Sequence, residues 1–258
     1  MQMILSYWLR MKKTQDIVDV LKIESERFGL LMNVKKTKTM VFTKDNIIPE
    51  IIIKIDNKPV EQVKSFQYLG VLMTEDGRSE KELLQRISIA KRKFSEMSNL
   101  LTSHDLSITT KLRLAKCYIW SVLLYASETW SLTPTLEKRL RAFEMWTYRR
   151  LCRISWTEKK SNKEVLDKMK LKGTILMSIV RRRKAKYYGH VRRHQCIQKT
   201  IIEGKVDGKR GRGRRTTDWL SGITTSMKRP INECGVLAMD RALWREMTSN
   251  IVHDMEHW

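Results

Sequence analysis

The stretch "LLQRISIAKRKFSEMSNLL", residues 83–101, decides how most of this chain folds. Its apolar residues recur in alternating steps of four and three, the spacing that puts side chains on one face of an α-helix. These residues are Leu83, Ile87, Ala90, Phe94, Met97 and Leu101. The same steps recur downstream, behind Ser107 as a capping residue, at Ile108, Leu112, Ala115, Ile119, Val122 and Ala126. The pattern predicts two long amphipathic helices.

Helical signals continue toward the C-terminus. Thr133 followed by Pro134 is typical of an N-cap and a first helical position, and it predicts a third helix through "LEKRLRAFEMWTYRRLCRI" (136–154). Weaker patterns predict helices near 162–170 and from about 173 to 193. One or two more helices are expected after a Gly/Arg-rich stretch.

The residues before Gly77 have a different, β-like pattern. A short amphipathic helix over 14–28, with Gly29 as its stop, precedes three strand-like runs, at 38–43, 51–55 and 66–72. Asp56-Asn57 predicts a turn after the second run. So few strands with one helix cannot cover both faces of a sheet, so we expect a chain that begins partway through a larger domain.

Together these patterns predict a mostly α protein with a small α+β N-terminal part. We divide it into an α+β piece (1–76), a helical middle (77–157) and a basic helical C-terminal region (158–258).

The charge of the chain points to a polyanionic partner. It carries 51 Lys and Arg against 28 Asp and Glu among 258 residues, a formal net charge of +23. Nucleic-acid phosphates are favoured, ahead of an anionic membrane surface. No run approaches the ~20 apolar residues that span a bilayer. The opening "MQMILSYWLRMKK" reverses the charge order of a signal peptide, so an intracellular protein is expected.

Two basic stretches are candidates for nucleic-acid contact. The first, "RRRKAKYYGHVRR" (181–193), has few acids nearby to pair its cations, and its tyrosines add aromatic faces, as in grooves that hold single strands. Its candidate residues are Arg181, Arg182, Arg183, Lys184, Lys186, Tyr187, Tyr188, Arg192 and Arg193. The second is Gly-rich, which lets the backbone approach phosphates, and contains Lys209, Arg210, Arg212, Arg214 and Arg215. The alternatives are a soluble basic face for the first and a promiscuous linker or nuclear-localisation patch for the second.

Other features favour structural roles. Trp130, Trp146 and Trp156 lie among apolar helix positions, so core packing is favoured over base stacking. His190 and His194, with Cys196, fall short of a four-ligand zinc site, so solvated polar residues are expected there.

Six blocks of sequence, in order, carry a family resemblance. They are "FGLLMNVKKTKTMVF" (28–42), "VKSFQYLGVLMTEDG" (63–77), "LLYASETWSLT" (123–133), "AFEMWTYRRLCRISW" (142–156), "YYGHVRRH" (187–194) and "EGKVDGKRGRGRR" (203–215). The first two resemble the end of the palm in reverse transcriptases of non-LTR (LINE-type) retrotransposons. The other four resemble the C-terminal third of the same proteins, most closely those of the RTE-like subgroup.

The resemblance implies a partial palm over 1–76, thumb-like helices after it and a basic C-terminal region. It places Asn33, Lys36 and Thr37 beside the incoming nucleotide. It also places a second group at the primer end: Phe66, Tyr68, Leu69 and Gly70. The implied partners are RNA and DNA as template and primer, without a small-molecule substrate, in a nuclear or nucleo-cytoplasmic location. Structural alternatives remain, namely strand packing for Phe66, Tyr68 and Leu69, and a solvated strand end for Lys35, Lys36 and Lys38.

The resemblance also implies what this chain lacks. The family's polymerase holds two Mg²⁺ ions with clustered aspartates, including an adjacent pair in a hairpin. No adjacent Asp pair occurs in the first 60 residues, and Asp16 and Asp19 fall on a predicted helix. No catalytic residue, metal or cofactor is therefore expected in this chain. Three hypotheses follow: a truncated reverse transcriptase, a nucleic-acid-binding module without chemistry, or a decayed reading frame.

Overall fold

The computed structural model describes residues 11–42, 48–203 and 219–251, with side chains from residue 14 onward. The protein is mostly helical, with 60% of residues in helices and 7% in strands, which confirms the predicted fold class. The chain divides into two compact units, Met1–Lys81 and Glu82–Trp258. The finer division at residue 157, and the names palm and thumb, stay predictions.

The smaller unit combines one helix with short strands. Helix α1 (Met11–Arg27) is followed by Gly29 in the left-handed region, at φ 70°, as the sequence predicts for its stop. The strands are β1 (Lys38–Thr39), β2 (Lys54–Ile55), β3 (Lys58–Pro59), β4 (Glu61–Gln62), β5 (Ser65–Tyr68) and β6 (Val71–Thr74). They form three two-stranded sheets, of which β1–β4 is parallel while β2–β3 and β5–β6 are antiparallel.

Two tight turns shape these hairpins. Asp56 and Asn57 both have positive φ, 51° and 58°, and join β2 to β3 where a turn was predicted. The prediction of one strand over 66–72 is wrong, because Leu69 (φ 46°) and Gly70 (φ 81°) fold that run into the β5–β6 hairpin. Two consecutive residues with positive φ match the right-handed twist of the flanking strands.

The core of the smaller unit is small. Ile53, Ile55 and Val60 are buried, and the side-chain amide of Gln15 on α1 bonds both the N–H and the carbonyl of Lys54, at 2.9 and 2.8 Å. Several apolar side chains of this unit lie outside its core, and those most exposed are Phe28, Leu31, Ile52 and Leu69.

From residue 80 onward the described chain is helical. The α-helices are α2 (Glu80–Glu96), α3 (Ser98–Leu101), α4 (Ile108–Leu114), α5 (Ser121–Leu123), α6 (Pro134–Leu151), α7 (Asn162–Met169), α8 (Leu176–Arg193), α9 (Ile197–Ile202), α10 (Ser221–Met227), α11 (Ile231–Leu237) and α12 (Arg241–Ser249). A π-helical segment (Ala115–Trp120) joins α4 to α5, and 3₁₀ turns lie at Ser127–Thr129 and Trp156–Glu158. Both predicted caps are confirmed, since Ser107 accepts from Thr110 N–H and Thr133 from Leu136 N–H.

The π-helical segment shifts the apolar pattern by one residue. The predicted positions pack into the core as far as Ile119, but beyond it Leu123 and Leu124 are buried where Val122 and Ala126 were predicted. A π turn adds about one residue to the helical repeat, so every later side chain moves along the face. Ala126 lies outside the helix altogether, at φ 55°.

Helix α8 contributes to two hydrophobic clusters. Its first half, with Leu176 and Val180, packs in the cluster formed mainly by α2, α4 and α6. Its second half, with Ala185 and Tyr188, packs with α10, α11 and α12. The placement of this helix therefore sets both cores.

A buried carboxylate fixes the start of α8. Glu144 on α6 is fully buried, and its oxygens accept from the backbone N–H groups of Ile175 and Leu176, at 2.6 and 3.1 Å. Tyr148 donates its hydroxyl to the same carboxylate at 2.5 Å. Burial raises the pKa of Glu144, while these three hydrogen bonds oppose the rise. No neighbouring side chain caps the N-terminus of α8. The Glu144 carboxylate therefore supplies hydrogen-bond acceptors for the first N–H groups of the helix.

Glu144→Leu should destabilise the protein by about 3–5 kcal/mol, because it leaves two helix N–H groups and a phenol buried without an acceptor. Tyr148→Phe is the matched control and should cost only about 1 kcal/mol, since the carboxylate keeps both backbone donors. Urea unfolding measures both. Equal losses would contradict the capping role.

The difference in stability between wild type and Glu144→Leu should depend on pH. A raised folded-state pKa means that stability linked to Glu144 is complete below its ordinary value of 4.5 and falls as pH rises through the raised value. The stability gap between wild type and Glu144→Leu should therefore narrow with rising pH.

Candidate nucleic-acid interface

The residues expected beside a nucleotide form a local turn. The backbone carbonyl of Asn33 accepts from the N–H groups of Lys36 and Thr37, at 3.1 and 2.9 Å, and its side chain also accepts from Lys36 N–H at 3.1 Å. Asn33 thus has a structural task as a turn former. Lys36 is exposed, whereas Thr37 is half-buried and donates its hydroxyl back to Asn33.

The residues expected at the primer end lie in and beside one hairpin. Phe66 and Tyr68 are half-buried on β5, and Leu69 and Gly70 form its turn. Leu69 is 73% exposed. The alternation that would pack a straight strand therefore does not extend to Leu69.

Most cations of α8 bond to backbone carbonyls. Arg182 donates to the carbonyl of Ile251 at 3.1 Å, Arg183 to that of Leu124 at 2.5 Å and Arg193 to that of Ala238 at 2.6 Å. These acceptors lie at or just beyond the C-terminal ends of α12, α5 and α11. The last carbonyls of a helix have no partner within it, and cationic donors suit them.

Two further arginines of α8 form ion pairs. Arg181 lies 3.7 Å from a carboxylate oxygen of Glu137, and Arg192 pairs with Glu203. The scarcity of nearby acids therefore understates how many of these cations have internal partners, because helix-end carbonyls also accept from arginine. Lys186 stays exposed, so not every cation of the segment is paired.

The aromatic residues of α8 pack inward. Tyr188 is 2% exposed and lies against Trp219 and Trp244, with ring centroids 6.5 and 5.8 Å away. Tyr187 meets Trp219 edge-on at 6.1 Å. Burial raises the pKa of both tyrosines. Tyr188 has no free face for a base, which corrects the picture of an open aromatic groove at this position.

Gly189 and Lys184 explain how neighbouring segments approach α8. A Cβ on Gly189 would lie 2.3 Å from the Trp244 indole, so this glycine gives α12 its place. Lys184 is 5% exposed, and its ammonium donates to the Trp219 carbonyl at 3.1 Å and lies 4.9 Å from the Trp219 ring centre. Lys184 is consequently a packing residue, whereas Lys186 is exposed.

The Gly/Arg candidates Lys209, Arg210, Arg212, Arg214 and Arg215 lie outside the described residues. The chain on either side of them is anchored to α8. Glu203 pairs with Arg192 before the stretch. After it, Trp219 contacts Tyr187 and donates its indole N–H to the Glu128 carbonyl at 2.8 Å. Glu203 and Trp219, the described residues on either side of the stretch, therefore both contact α8.

No metal centre or membrane span is found in the part of the chain that the structure describes. The rings of His190 and His194 lie 4.4 Å apart between centroids, tilted by 46°, but no group of three or more His, Cys, Asp or Glu in these ranges could hold a metal ion. Likewise, no described helix is long and apolar enough to cross a bilayer.

The three tryptophans predicted to pack in the core differ. Trp130 is buried, and Trp146 packs beside Phe94 and Phe143. The prediction is wrong for Trp156, which is 91% exposed on the 3₁₀ turn between α6 and α7. The periodicity of α6 ends at Leu151, so Trp156 does not share its apolar face.

Comparisons of the chain with protein-family models, with curated proteins and with solved structures found no match.

Lys184 and Lys186, two residues apart on α8, should differ in their contribution to stability. Lys184→Ala should lower stability by about 2–3 kcal/mol, because the Trp219 carbonyl loses a charged donor. Lys186→Ala should change stability by less than about 0.5 kcal/mol, since the side chain is exposed. Chemical denaturation measures both. Similar stability losses for the two variants would contradict this distinction.

Proposed function

We propose that this chain is a C-terminal fragment of a non-LTR retrotransposon reverse transcriptase that binds RNA and DNA and does not polymerise by itself. The observation that carries the proposal is the order of six sequence blocks that resemble that family, from residue 28 to residue 215. The net charge of +23 supports a role on polyanions. A mostly helical fold is compatible with thumb-like and C-terminal regions of such an enzyme.

The proposed phosphate contacts are made by exposed lysines and arginines. Because many basic residues of α8 bond to other parts of the protein, these contacts come from cations that remain at the surface. In the larger unit these include Arg92, Arg113, Lys163, Lys170, Lys172, Lys186, Lys228, Arg241 and Arg245. Such cations displace counterions from nucleic acid without reading bases, so sequence-independent binding is expected.

A nucleic-acid-binding module with no retroelement role is the second candidate. It is favoured by the same charge together with the missing aspartate pair. The proposal extends to a nuclear or nucleo-cytoplasmic location, which rests on the Gly/Arg stretch as a basic targeting patch. A fluorescent fusion that stays outside the nucleus would contradict that extension.

Binding should be strongly salt-dependent. If about six phosphates are neutralised, the affinity for RNA or DNA should fall with salt at a log–log slope near −5, with little preference among sequences. Fluorescence anisotropy with labelled oligonucleotides between 50 and 300 mM salt, roughly the range where this term dominates, measures the slope. A slope near zero would refute the nucleic-acid proposal.

Primer extension separates the fragment from a complete polymerase. With Mg²⁺ or Mn²⁺, a primed RNA template and deoxynucleotides, the chain should give no product above a no-protein control. Its first 60 residues have no adjacent Asp pair, and no group that could hold a metal ion occurs among the described residues, whereas the reaction needs carboxylates for two metal ions. Template-dependent extension by the purified chain would overturn the non-catalytic part of the proposal and leave its binding part intact.

A further inference from the structure

Trp156 differs from the other tryptophans of the described residues. Trp120, Trp130 and Trp244 are at most 2% exposed, and Trp146 and Trp219 pack against the two hydrophobic clusters. Trp156 is 91% exposed. Within the described ranges no ring contact or cation–π contact involves it, whereas Trp146 and Trp219 both carry lysine or arginine over their rings. Both faces of its indole are thus available.

The turn that carries Trp156 is firmly held. Ser155 and Glu158 form a capping box, in which the Glu158 carboxylate accepts from Ser155 N–H at 2.7 Å. The Ser155 hydroxyl also accepts from Thr157 N–H at 3.4 Å. The Arg149 guanidinium on α6 donates to the Lys160 carbonyl at 3.0 Å, just beyond the turn. The backbone under the indole is therefore ordered before any ligand binds, which lowers the entropic cost of binding.

The backbone conformation around the turn is unusual for its residues. Arg153 and Lys159 have φ of 54° and 47°, a left-handed conformation that disfavours side chains other than those of Gly and Asn. Both lie three residues from Trp156, one on each side. Both residues end a helical segment, where a left-handed residue is common: Arg153 follows α6, and Lys159 is the C-cap of the 3₁₀ turn. These two helix ends set the limits of the turn that carries Trp156.

The surroundings of the turn are positively charged. Residues 149–172 contain nine Lys or Arg and three Asp or Glu. Two of the three acids are engaged locally, since Glu158 bonds Ser155 and pairs with Lys160 at 2.9 Å, and Glu164 bonds Ser161 at 2.7 Å. Arg153, Lys159 and Lys163 stay exposed.

We infer that Trp156 is a stacking platform for an unpaired base of single-stranded nucleic acid, with Arg153, Lys159 and Lys163 as phosphate contacts. The inference rests on the proposed nucleic-acid binding and assigns it a site away from α8. A lone indole flanked by cations suits a strand in which bases alternate with phosphates. An apolar protein partner would need a contiguous apolar face, and Ser155, Thr157 and Lys159 interrupt one here.

The test compares Trp156→Ala with Trp156→Phe and with Tyr118→Ala, a control at another exposed aromatic residue. The probes are a labelled oligo(dT) strand and a blunt DNA duplex of equal length. Trp156→Ala should weaken oligo(dT) binding about 5- to 150-fold, the range for loss of one stacked base. Trp156→Phe should recover most of the affinity. Duplex affinity and the salt slope should hardly change, because no charge is removed.

Two further measurements sharpen the result. Photo-crosslinking with 5-iodouracil in the strand should map to Trp156. All variants should melt at the wild-type temperature, since the altered side chains are exposed. Lys163→Ala should instead weaken strand and duplex alike and reduce the salt slope by about one.

Several outcomes would overturn the inference. Unchanged oligo(dT) affinity in Trp156→Ala, with the wild-type salt slope intact, removes the stacking role and leaves the proposed function standing. Equal losses on duplex and strand would do the same. Loss of binding to anionic phosphatidylserine vesicles without loss of oligo(dT) binding would assign the indole to a membrane surface. A wild-type slope near zero would refute both the proposed function and this site.

Discussion

The larger unit depends on one buried carboxylate. Glu144 supplies hydrogen-bond acceptors to the first N–H groups of α8, and α8 then carries side chains into both hydrophobic clusters of that unit. A helix that begins inside a protein needs such a partner, since its first donors have none of their own. Water does not take the place of the Glu144 carboxylate as the acceptor for these N–H groups, because Glu144 is fully buried. Placing the carboxylate on α6 makes the two helices depend on each other.

The position of α8 between two hydrophobic clusters gives its basic residues a structural role. A long helix between two cores passes the ends of several shorter helices, and those ends expose carbonyls. Arg182, Arg183 and Arg193 donate to them, so cations that resemble a binding surface in the sequence act as cross-links between helices. Such bonds are stronger than neutral ones, which suits a fold built from short helices. Positive charge alone therefore does not locate an interface.

Caps, turns and helix faces could be predicted from the sequence, whereas the shift of the apolar pattern at the π-helical segment could not. Caps at Ser107 and Thr133, the turn at Asp56-Asn57 and the faces of α2 and α4 follow from side-chain geometry within a few residues, so a single sequence reveals them. The π-helical segment is a shift of the backbone that no apolar spacing encodes. Of the candidate sites, the sequence located the basic helix but not the partners of its cations, because those carbonyls lie 45 to 69 residues away.

Trp156 is a second case in which the sequence pattern did not predict the environment of a side chain. Tryptophan in a helical, apolar context is usually buried, so its type and neighbours favour packing. Exposure here comes from a helix end at Leu151 and a capped turn held by Arg149, and the capping signal "SWTE" was the available clue. A serine followed by Glu three residues later marks a new helical N-terminus, so the residues between them do not continue the apolar face of α6. Charge density does not mark a ligand site in this chain, because arginines of α8 also hold the fold together. The exposed indole of Trp156 has no such packing role.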